Sequence, residues 1–156
     1  MKRWTLVLCI VLGLAVPGCA TLRGRARPAP AGPPPEGYVI RGTKVTFVFD
    51  PAHYDSVTAD SSGERAPLAG LRIRSVNVAG TFNGWSRSAW LMTRTDAGEG
   101  ARYTLAHTLA EVGTGREYPF RFLVNDRWWV EPTERAWNRR PAEDGRAGYD
   151  LLLKLE

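Results

Sequence analysis

The strongest constraint on the fold is a pair of alternating apolar stretches joined by a short turn. The first, EYPFRFLV over residues 117–124, places an aromatic or aliphatic side chain at every second position. Asn125 and Asp126 provide a reversing turn, and the second stretch, RWWVEP over 127–132, returns. A period of two is typical of a strand, so we predict an antiparallel hairpin. Its inner face would carry Tyr118, Phe120, Phe122 and Val124, and its outer face Arg121 and Leu123.

Short stretches of the same kind recur along the chain, and no helical stripe of any length interrupts them. A phase shift between Ile73 and Val76 predicts a bulge at Ser75, and the polar segment 53–70 is predicted to be a long loop. About seven strands with turn signals between them indicate an all-β fold, an antiparallel β-sandwich. The remaining predicted strands span 43–49, 71–79, 89–94, 102–109 and 149–155.

An export signal is predicted at the N-terminus. Lys2 and Arg3 precede an uncharged, largely apolar run that Pro17 and Gly18 interrupt. The run is barely as long as the roughly 20 apolar residues that a membrane-spanning helix needs. We therefore predict a signal peptide over residues 1–18.

The residues that end this signal resemble a bacterial lipobox, in which a cysteine after a small residue is lipidated and becomes the mature N-terminus. The resemblance implies a lipid anchor on Cys19. Ala20 stands where an aspartate would favour inner-membrane retention, which implies an outer-membrane lipoprotein of the bacterial cell envelope. The alternative is ordinary signal cleavage with Cys19 as a free thiol. The other cysteine, Cys9, lies in the signal, so the folded part is predicted to contain no disulfide and no thiolate metal site.

Residues 19–37 are predicted to be a tether after the lipidated cysteine. Proline, alanine and glycine dominate it, which favours an extended, partly polyproline II spacer. Five of the 21 basic residues and one of the 16 acidic residues precede residue 38, so the domain 38–156 is nearly neutral. This balance argues against nucleic acid as a partner. The tether arginines either contact anionic lipid headgroups or only solubilise the linker.

The stretch VNVAGTFNGWS, residues 76–86, raises the question of what Trp85 does. Asn83 and Gly84 accept the backbone angles of a tight turn, and the tryptophan follows directly. Trp85 either folds back over the core or is displayed to a ligand.

Three blocks together resemble a known family. The chain from VNVAGTFNGWS through YPFRFLVNDRWWVEP to DGRAGYDLLLKL is similar to carbohydrate-binding module family 48. That family includes the glycogen-binding domain of AMP-activated protein kinase β subunits and the N-terminal domain of isoamylases and branching enzymes. The similarity is strongest over residues 76–155. It implies an early-set immunoglobulin-like β-sandwich over 38–156 that binds an α-glucan or a related polysaccharide without a cofactor.

The resemblance also implies which residues form the site. Two tryptophans of the family stack on sugar rings, and a lysine lies between them. The leucine and asparagine that close the family's site fall near Asp144 and Gly148 and are lost here. The implied carbohydrate-binding residues are Trp85, Arg121 and Trp128, with Asn83 and Gly84 as the supporting turn.

The chemistry of sugars explains why tryptophan and arginine side chains would suit a carbohydrate-binding site. A pyranose ring has an apolar C–H face and a rim of hydroxyls, so a flat aromatic ring covers the first and a charged donor engages the second. Trp85 could instead cover its own turn, and Arg121 could be an ordinary solvated strand residue. Adjacent strand residues face opposite sides, so one of Trp128 and Trp129 points away from the core. We predict that it is Trp128.

The remaining distinctive residues favour structural roles. Trp90 and Trp137 are predicted to be packing residues, and His107 a hydrogen-bonded histidine of the core or edge. His53 is not expected to be a ligand, and Glu131 is expected to be structural. The two histidines lie far apart in sequence, the domain has no thiol, and no acidic pair is distinguished by its context. We therefore predict no catalysis and no metal.

Two functional hypotheses follow. The first is a lipid-anchored, non-catalytic module that binds a polysaccharide weakly through tryptophan stacking. The second is a structural or protein-interaction immunoglobulin-like domain, with an envelope protein as partner and a degenerate glycan site. An enzymatic function is the least supported hypothesis.

Overall fold

The computed structural model describes residues 37–60, 62–97, 100–143 and 145–155. The predicted signal peptide, the predicted lipidation site Cys19 and the tether up to residue 36 lie outside these ranges. Within them, no helix is both long enough and apolar enough to cross a membrane.

The described residues form an antiparallel β-sandwich, which confirms the all-β prediction. They contain more strands than the seven or so predicted, because several short strands lie at the sheet edges. One short helix, α1, spans Leu109–Val112, and single 3-10 turns span Pro51–His53, Leu68–Gly70 and Thr81–Asn83. The strands are β1 (Tyr38–Arg41), β2 (Lys44–Phe49), β3 (Ser56–Ala59), β4 (Arg65–Pro67), β5 (Val76–Gly80), β6 (Thr93–Ala97), β7 (Gly100–Thr108), β8 (Glu117–Val124), β9 (Trp128–Val130), β10 (Arg139–Pro141) and β11 (Tyr149–Lys154).

The first sheet has the strand order β1-β2-β7-β6, and the second has the order β10-β11-β8-β9-β3-β4. Strand β5 pairs with one edge of β8. The opposite edge of β8 pairs with β11 near its start and with β9 near its end.

Aromatic rings from the central strands fill the space between the sheets. Phe47 and Phe49 of β2 contact Phe120 and Phe122 of β8, with ring centroids 5.3 and 5.1 Å apart. The predicted inner face of β8 is therefore confirmed. Since all four rings are essentially inaccessible to solvent, this layer supplies much of the hydrophobic stabilisation.

The prediction of a long loop over residues 53–70 is wrong. This segment contains β3 and β4, and Val57 of β3 is completely buried opposite Val130 of β9. The sequence did not predict these strands because polar residues surround them. At four and three residues, β3 and β4 are also too short to show a clear alternation.

The predicted strand 71–79 begins only at Val76, so there is no bulge at Ser75. A side chain holds the preceding residues instead: the Arg74 N–H donates to Asn125 Oδ1 at 2.7 Å, and Asn125 Nδ2 donates to the Arg72 carbonyl at 2.9 Å. The predicted strand 89–94 likewise begins late, at Thr93.

Candidate functional site

The predicted outer face of β8 is covered rather than exposed. Phe120 pairs with β11 and Leu123 pairs with β9, so Arg121 lies where these two neighbours of β8 diverge. Its side chain is only 4% exposed, and Leu123 is completely buried. Arg121 therefore lies on the outer face of β8, as predicted, but it is buried there, so the prediction that it is accessible to contact a sugar is wrong.

Two carboxylates and a carbonyl surround the Arg121 guanidinium. Its Nε donates to Asp150 Oδ1 at 2.6 Å, and its Nη2 donates to the Ala147 carbonyl at 2.8 Å. Glu131 Oε1 lies 4.0 Å from Nη1. Because a buried charge is stable only when it is paired and hydrogen-bonded, this network explains how an arginine occupies the position.

Arg146 extends the network to the surface. Its Nη2 donates to the second oxygen of the buried Asp150 carboxylate, Oδ2, at 3.3 Å. The guanidinium carbon of the same side chain lies 3.3 Å from the ring centroid of Trp85. One face of the Trp85 indole is therefore stacked against a cation.

The turn that presents Trp85 depends on Asn83. The Gly80 N–H donates to Asn83 Oδ1 at 3.0 Å, and Asn83 Nδ2 donates to the Val78 carbonyl at 2.9 Å. Gly84 and Trp85 follow with φ of 63° and 59°, and the Trp85 N–H donates to the Gly80 carbonyl at 2.8 Å. Left-handed backbone is uncommon for a bulky residue, so the turn holds Trp85 in a constrained position.

Trp129, rather than the predicted Trp128, accompanies Trp85. Their ring centroids lie 6.4 Å apart with an interplanar angle of 77°, an edge-to-face contact. Trp129 pairs with Leu123 across β8 and β9, which places its ring on the outer face of the second sheet.

Trp128 faces the opposite way. It pairs with Val124 and packs against the hydrophobic core, and the Arg127 guanidinium carbon lies 4.6 Å from its ring centroid. A two-residue turn would have placed Trp128 on the outer face. The turn instead contains three residues, 125–127, with the Arg127 N–H donating to the Val124 carbonyl at 3.2 Å. One extra residue reverses the face of every side chain that follows.

Arg87 flanks the other side of the tryptophan pair. Its guanidinium carbon lies 5.6 Å from the Trp129 ring centroid. The side chain contacts Asp60 Oδ2 at 2.7 Å, and it donates to the Asp126 carbonyl at 2.7 Å. Arg87 therefore ties the segment after Trp85 to two turns of the second sheet. We call Trp85, Trp129, Arg87 and Arg146 the tryptophan platform.

A side chain at Gly148, the position that the resemblance gives to the family's asparagine, would displace Glu131. A Cβ on Gly148 would lie 2.5 Å from Glu131 Oε1, and φ at this glycine is +88°. Glu131 therefore occupies the space under Gly148 while it approaches Arg121. Asp144, the other predicted difference from the family, lies outside the described residues.

Trp90 and Trp137, both predicted to be packing residues, differ in their surroundings. Trp90 is a packing residue, as predicted, because it stacks between Phe82 at 4.5 Å and His107 at 3.9 Å. His107 also lies near Glu111, with Nδ1 3.5 Å from Oε2. Trp137 is not a packing residue, since 57% of it is exposed.

Sequence reasoning missed Trp129, Arg87 and Arg146. The face of Trp129 follows from the length of the turn, which the sequence leaves open by one residue. No local signal marks either arginine, because Arg87 contacts Trp129 and Arg146 contacts Trp85, rings that lie 42 and 61 residues away along the chain. Among the described residues, no three histidine, cysteine, aspartate or glutamate side chains group so as to hold a metal ion.

No family model matches this chain, and no curated protein matches it.

Proposed function

We propose that this protein is a membrane-anchored, non-catalytic module that binds a polysaccharide weakly through the tryptophan platform. The observation that carries the proposal is the contact between Trp85 and Trp129 on one outer face of the second sheet. The sequence resemblance to carbohydrate-binding module family 48 supports an α-glucan or a related polymer as the ligand.

The chemistry of the platform suits a neutral sugar. An indole face removes the apolar C–H surface of a pyranose from water. Arg87 and Arg146 supply N–H donors, and Asp60 and Asp126 supply acceptor oxygens beside them. Sugar hydroxyls both donate and accept, so paired charges of both signs can satisfy them.

Arg121 contributes indirectly in this proposal. It fixes Asp150, and Asp150 holds the guanidinium of Arg146 next to Trp85. A sugar that stacks on Trp85 from that side displaces Arg146, which keeps its contact with Asp150.

The expected affinity is low. Two indole faces gain about 1.5–3 kcal/mol each from burial, and association costs several kcal/mol. Dissociation constants of roughly 10 µM to 1 mM follow. Such binding is useful on a polymer with repeated sites, where many weak contacts act together.

Retention on insoluble polysaccharides tests the proposal. The full-length protein is incubated with α-glucan, β-glucan, chitin and peptidoglycan, and the bound fraction is measured after sedimentation. We expect retention on at least one polymer, and we expect Trp85→Ala with Trp129→Ala to abolish it. Trp137→Ala is the matched control, because it removes an exposed tryptophan outside the platform. Equal retention of the double variant and the wild type would reject the platform.

A second candidate, a structural or protein-interaction domain, is favoured by one observation. Arg146 already covers one face of Trp85, so the tryptophans could serve to fasten the segment 145–148 to the sheet. Thermal unfolding separates the two candidates. A fastening role predicts that the double tryptophan variant unfolds at a much lower temperature and that the wild type binds none of the polymers.

The proposed anchor has its own test. Metabolic labelling with a radioactive fatty acid should mark the wild-type protein in a bacterial host, and Cys19→Ala should remove the label and release the protein from membranes. Labelling that persists in Cys19→Ala would contradict lipidation at this position.

A further inference from the structure

Strand pairing places Trp129 inside a longer row of residues that crosses the second sheet. Directly paired residues of an antiparallel sheet lie on the same face. Trp129 pairs with Leu123 on one side and with Thr58 on the other. The pairing continues through β5 to the segment before β6, and through β3 to β4. We call these residues the cross-strand row, which in spatial order is Leu91, Asn77, Leu123, Trp129, Thr58 and Arg65.

The cross-strand row lies on the outer face of the second sheet. Val57 and Val78 belong to the hydrophobic core, and successive strand residues face opposite sides of a sheet. Thr58 and Asn77 therefore point away from the core, and the residues that pair with them share this face. The row is about 24 Å long, because it spans five gaps between neighbouring strands of about 4.8 Å each.

Both ends of the row are accessible to solvent. Leu91 is 57% exposed, and Arg65 is exposed on the edge strand β4. Glu64, the acidic residue next to Arg65, forms an ion pair with Arg127 at 3.0 Å. The row therefore ends in an aliphatic surface on one side and in guanidinium N–H donors on the other.

Other contacts close the outer face along the direction of the strands. On one side of Trp129, Arg87 bridges the turns that follow β3 and β8. On the other side, the segment 147–150 covers Arg121 of β8. A ligand longer than the tryptophan pair is therefore directed across the strands, along the cross-strand row.

We infer that a polysaccharide chain on the tryptophan platform runs across the strands, with Leu91 and Arg65 as two outer subsites. Leu91 covers the apolar C–H surface of a sugar at one end, and Arg65 donates to sugar hydroxyls at the other. A pyranose residue has roughly the length of one strand spacing, so the row accommodates about five sugars.

The inference rests on the proposed polysaccharide binding and adds to it a direction and a preferred ligand length. Arg65 lies outside residues 76–155, where the family resemblance is strongest. Strands β3 and β4 would therefore give this chain a subsite that the resemblance does not imply.

Titration with a short and a long oligosaccharide tests the inference. The full-length protein, in a detergent without a sugar headgroup, is titrated calorimetrically with the disaccharide maltose and with the heptasaccharide maltoheptaose. Arg65→Ala with Leu91→Ala removes both outer subsites. Arg41→Ala with Val39→Ala is the matched control, because it removes an exposed arginine and an exposed aliphatic residue from β1, an edge strand of the first sheet.

We expect all three proteins to bind maltose equally, since the tryptophan pair is unchanged. The variant without the outer subsites should bind maltoheptaose about tenfold more weakly than the wild type, and the control should match the wild type. A longer chain has more registers on the rings alone, so the decisive comparison is between proteins at the same ligand length.

Equal binding of maltoheptaose by the wild type and by Arg65→Ala with Leu91→Ala would overturn the inference. An equal loss of affinity for maltose and maltoheptaose would overturn it as well. The proposed function would stand in the first case if Trp85→Ala with Trp129→Ala still abolished binding of both sugars. A wild type that binds neither sugar would reject the platform as an α-glucan site, and the inference with it.

Discussion

At the scale of single residues, Arg121 shows how a correct strand prediction can mislead about a side chain. Its alternation with Phe120 and Phe122 places it on the outer face of β8, as expected. Alternation does not reveal that the segment from Ala147 to Asp150 covers this part of the face. The covering residues come from sequence positions about 26 to 29 residues away, which no local pattern can connect to β8.

Replacing Arg121 should strongly destabilise the fold. Arg121→Met leaves the buried Asp150 carboxylate with Arg146 as its remaining cation, and removing one partner of a buried pair costs about 3–5 kcal/mol. Urea unfolding measures this loss. Adding Asp150→Asn to Arg121→Met should recover part of the stability, since it removes the uncompensated charge. A loss under about 1 kcal/mol for Arg121→Met would show that the network contributes little.

Tyr54 provides a prediction about alkaline pH. Burial, and to a lesser degree the nearby Asp50 carboxylate, raises the pKa of its hydroxyl well above the ordinary value of 10. The unfolded chain releases this proton near pH 10, while the folded protein retains it. The resulting stability is therefore fully present below pH 10 and is lost as the pH rises further.

Tyr54→Phe should remove this pH dependence. The ring still stacks on Phe49, and no hydrogen bond to a described residue is lost. Urea midpoints at about pH 9 and about pH 11 should fall further for the wild type than for Tyr54→Phe. Equal falls for the two proteins would contradict a raised pKa at this tyrosine.

At the scale of elements, the sequence predicted the strands that lie inside a sheet and that alternate apolar with polar residues. Strands β2, β8 and β11 lie where the pattern places them, because both flanks of each pair with other strands. The short strands β3 and β4 were missed, because their own sequences are too short to show alternation. The pairing of β3 with β9, and of β4 with β3, places them in the sheet. Turn length was the decisive unknown, because the third residue of the β8–β9 turn exchanged the faces of Trp128 and Trp129.

The loop before β11 provides a matched pair of glycine substitutions. Gly145 and Gly148 have φ of +73° and +88°, but a Cβ at Gly145 meets open space and one at Gly148 meets the Glu131 carboxylate. Gly145→Ala should cost about 1 kcal/mol from backbone strain alone. Gly148→Ala should cost about 1–3 kcal/mol more, because Glu131 must move.

Denaturant unfolding of the two variants measures this difference. Since Gly148 and Arg146 belong to the same loop, Gly148→Ala should also weaken polysaccharide retention, whereas Gly145→Ala should leave it unchanged. Equal free energies of unfolding for the two variants would mean that Glu131 moves away from the added methyl group without a loss of stability.

At the scale of the whole molecule, stability comes from the packed sandwich, since the described residues contain no cysteine. The fold class was predictable from alternation and turn spacing. The candidate site was predictable only in part: a local motif indicated Trp85 and its Asn83 turn, whereas Trp129, Arg87 and Arg146 meet Trp85 or one another through tertiary contacts. The exposure of Trp137 was not foreseen, because a lone tryptophan in a loop gives no sign of whether it is buried.

The identity of the second stacking residue is the most direct test of the proposed function. Affinity electrophoresis in gels that contain the best-retained polysaccharide compares Trp129→Ala with Trp128→Ala, both checked for folding by circular dichroism. We predict that the polymer slows the wild type and Trp128→Ala, and that Trp129→Ala migrates as if no polymer were present. Normal slowing of Trp129→Ala, or loss of slowing only in Trp128→Ala, would contradict a platform on the outer face of the second sheet.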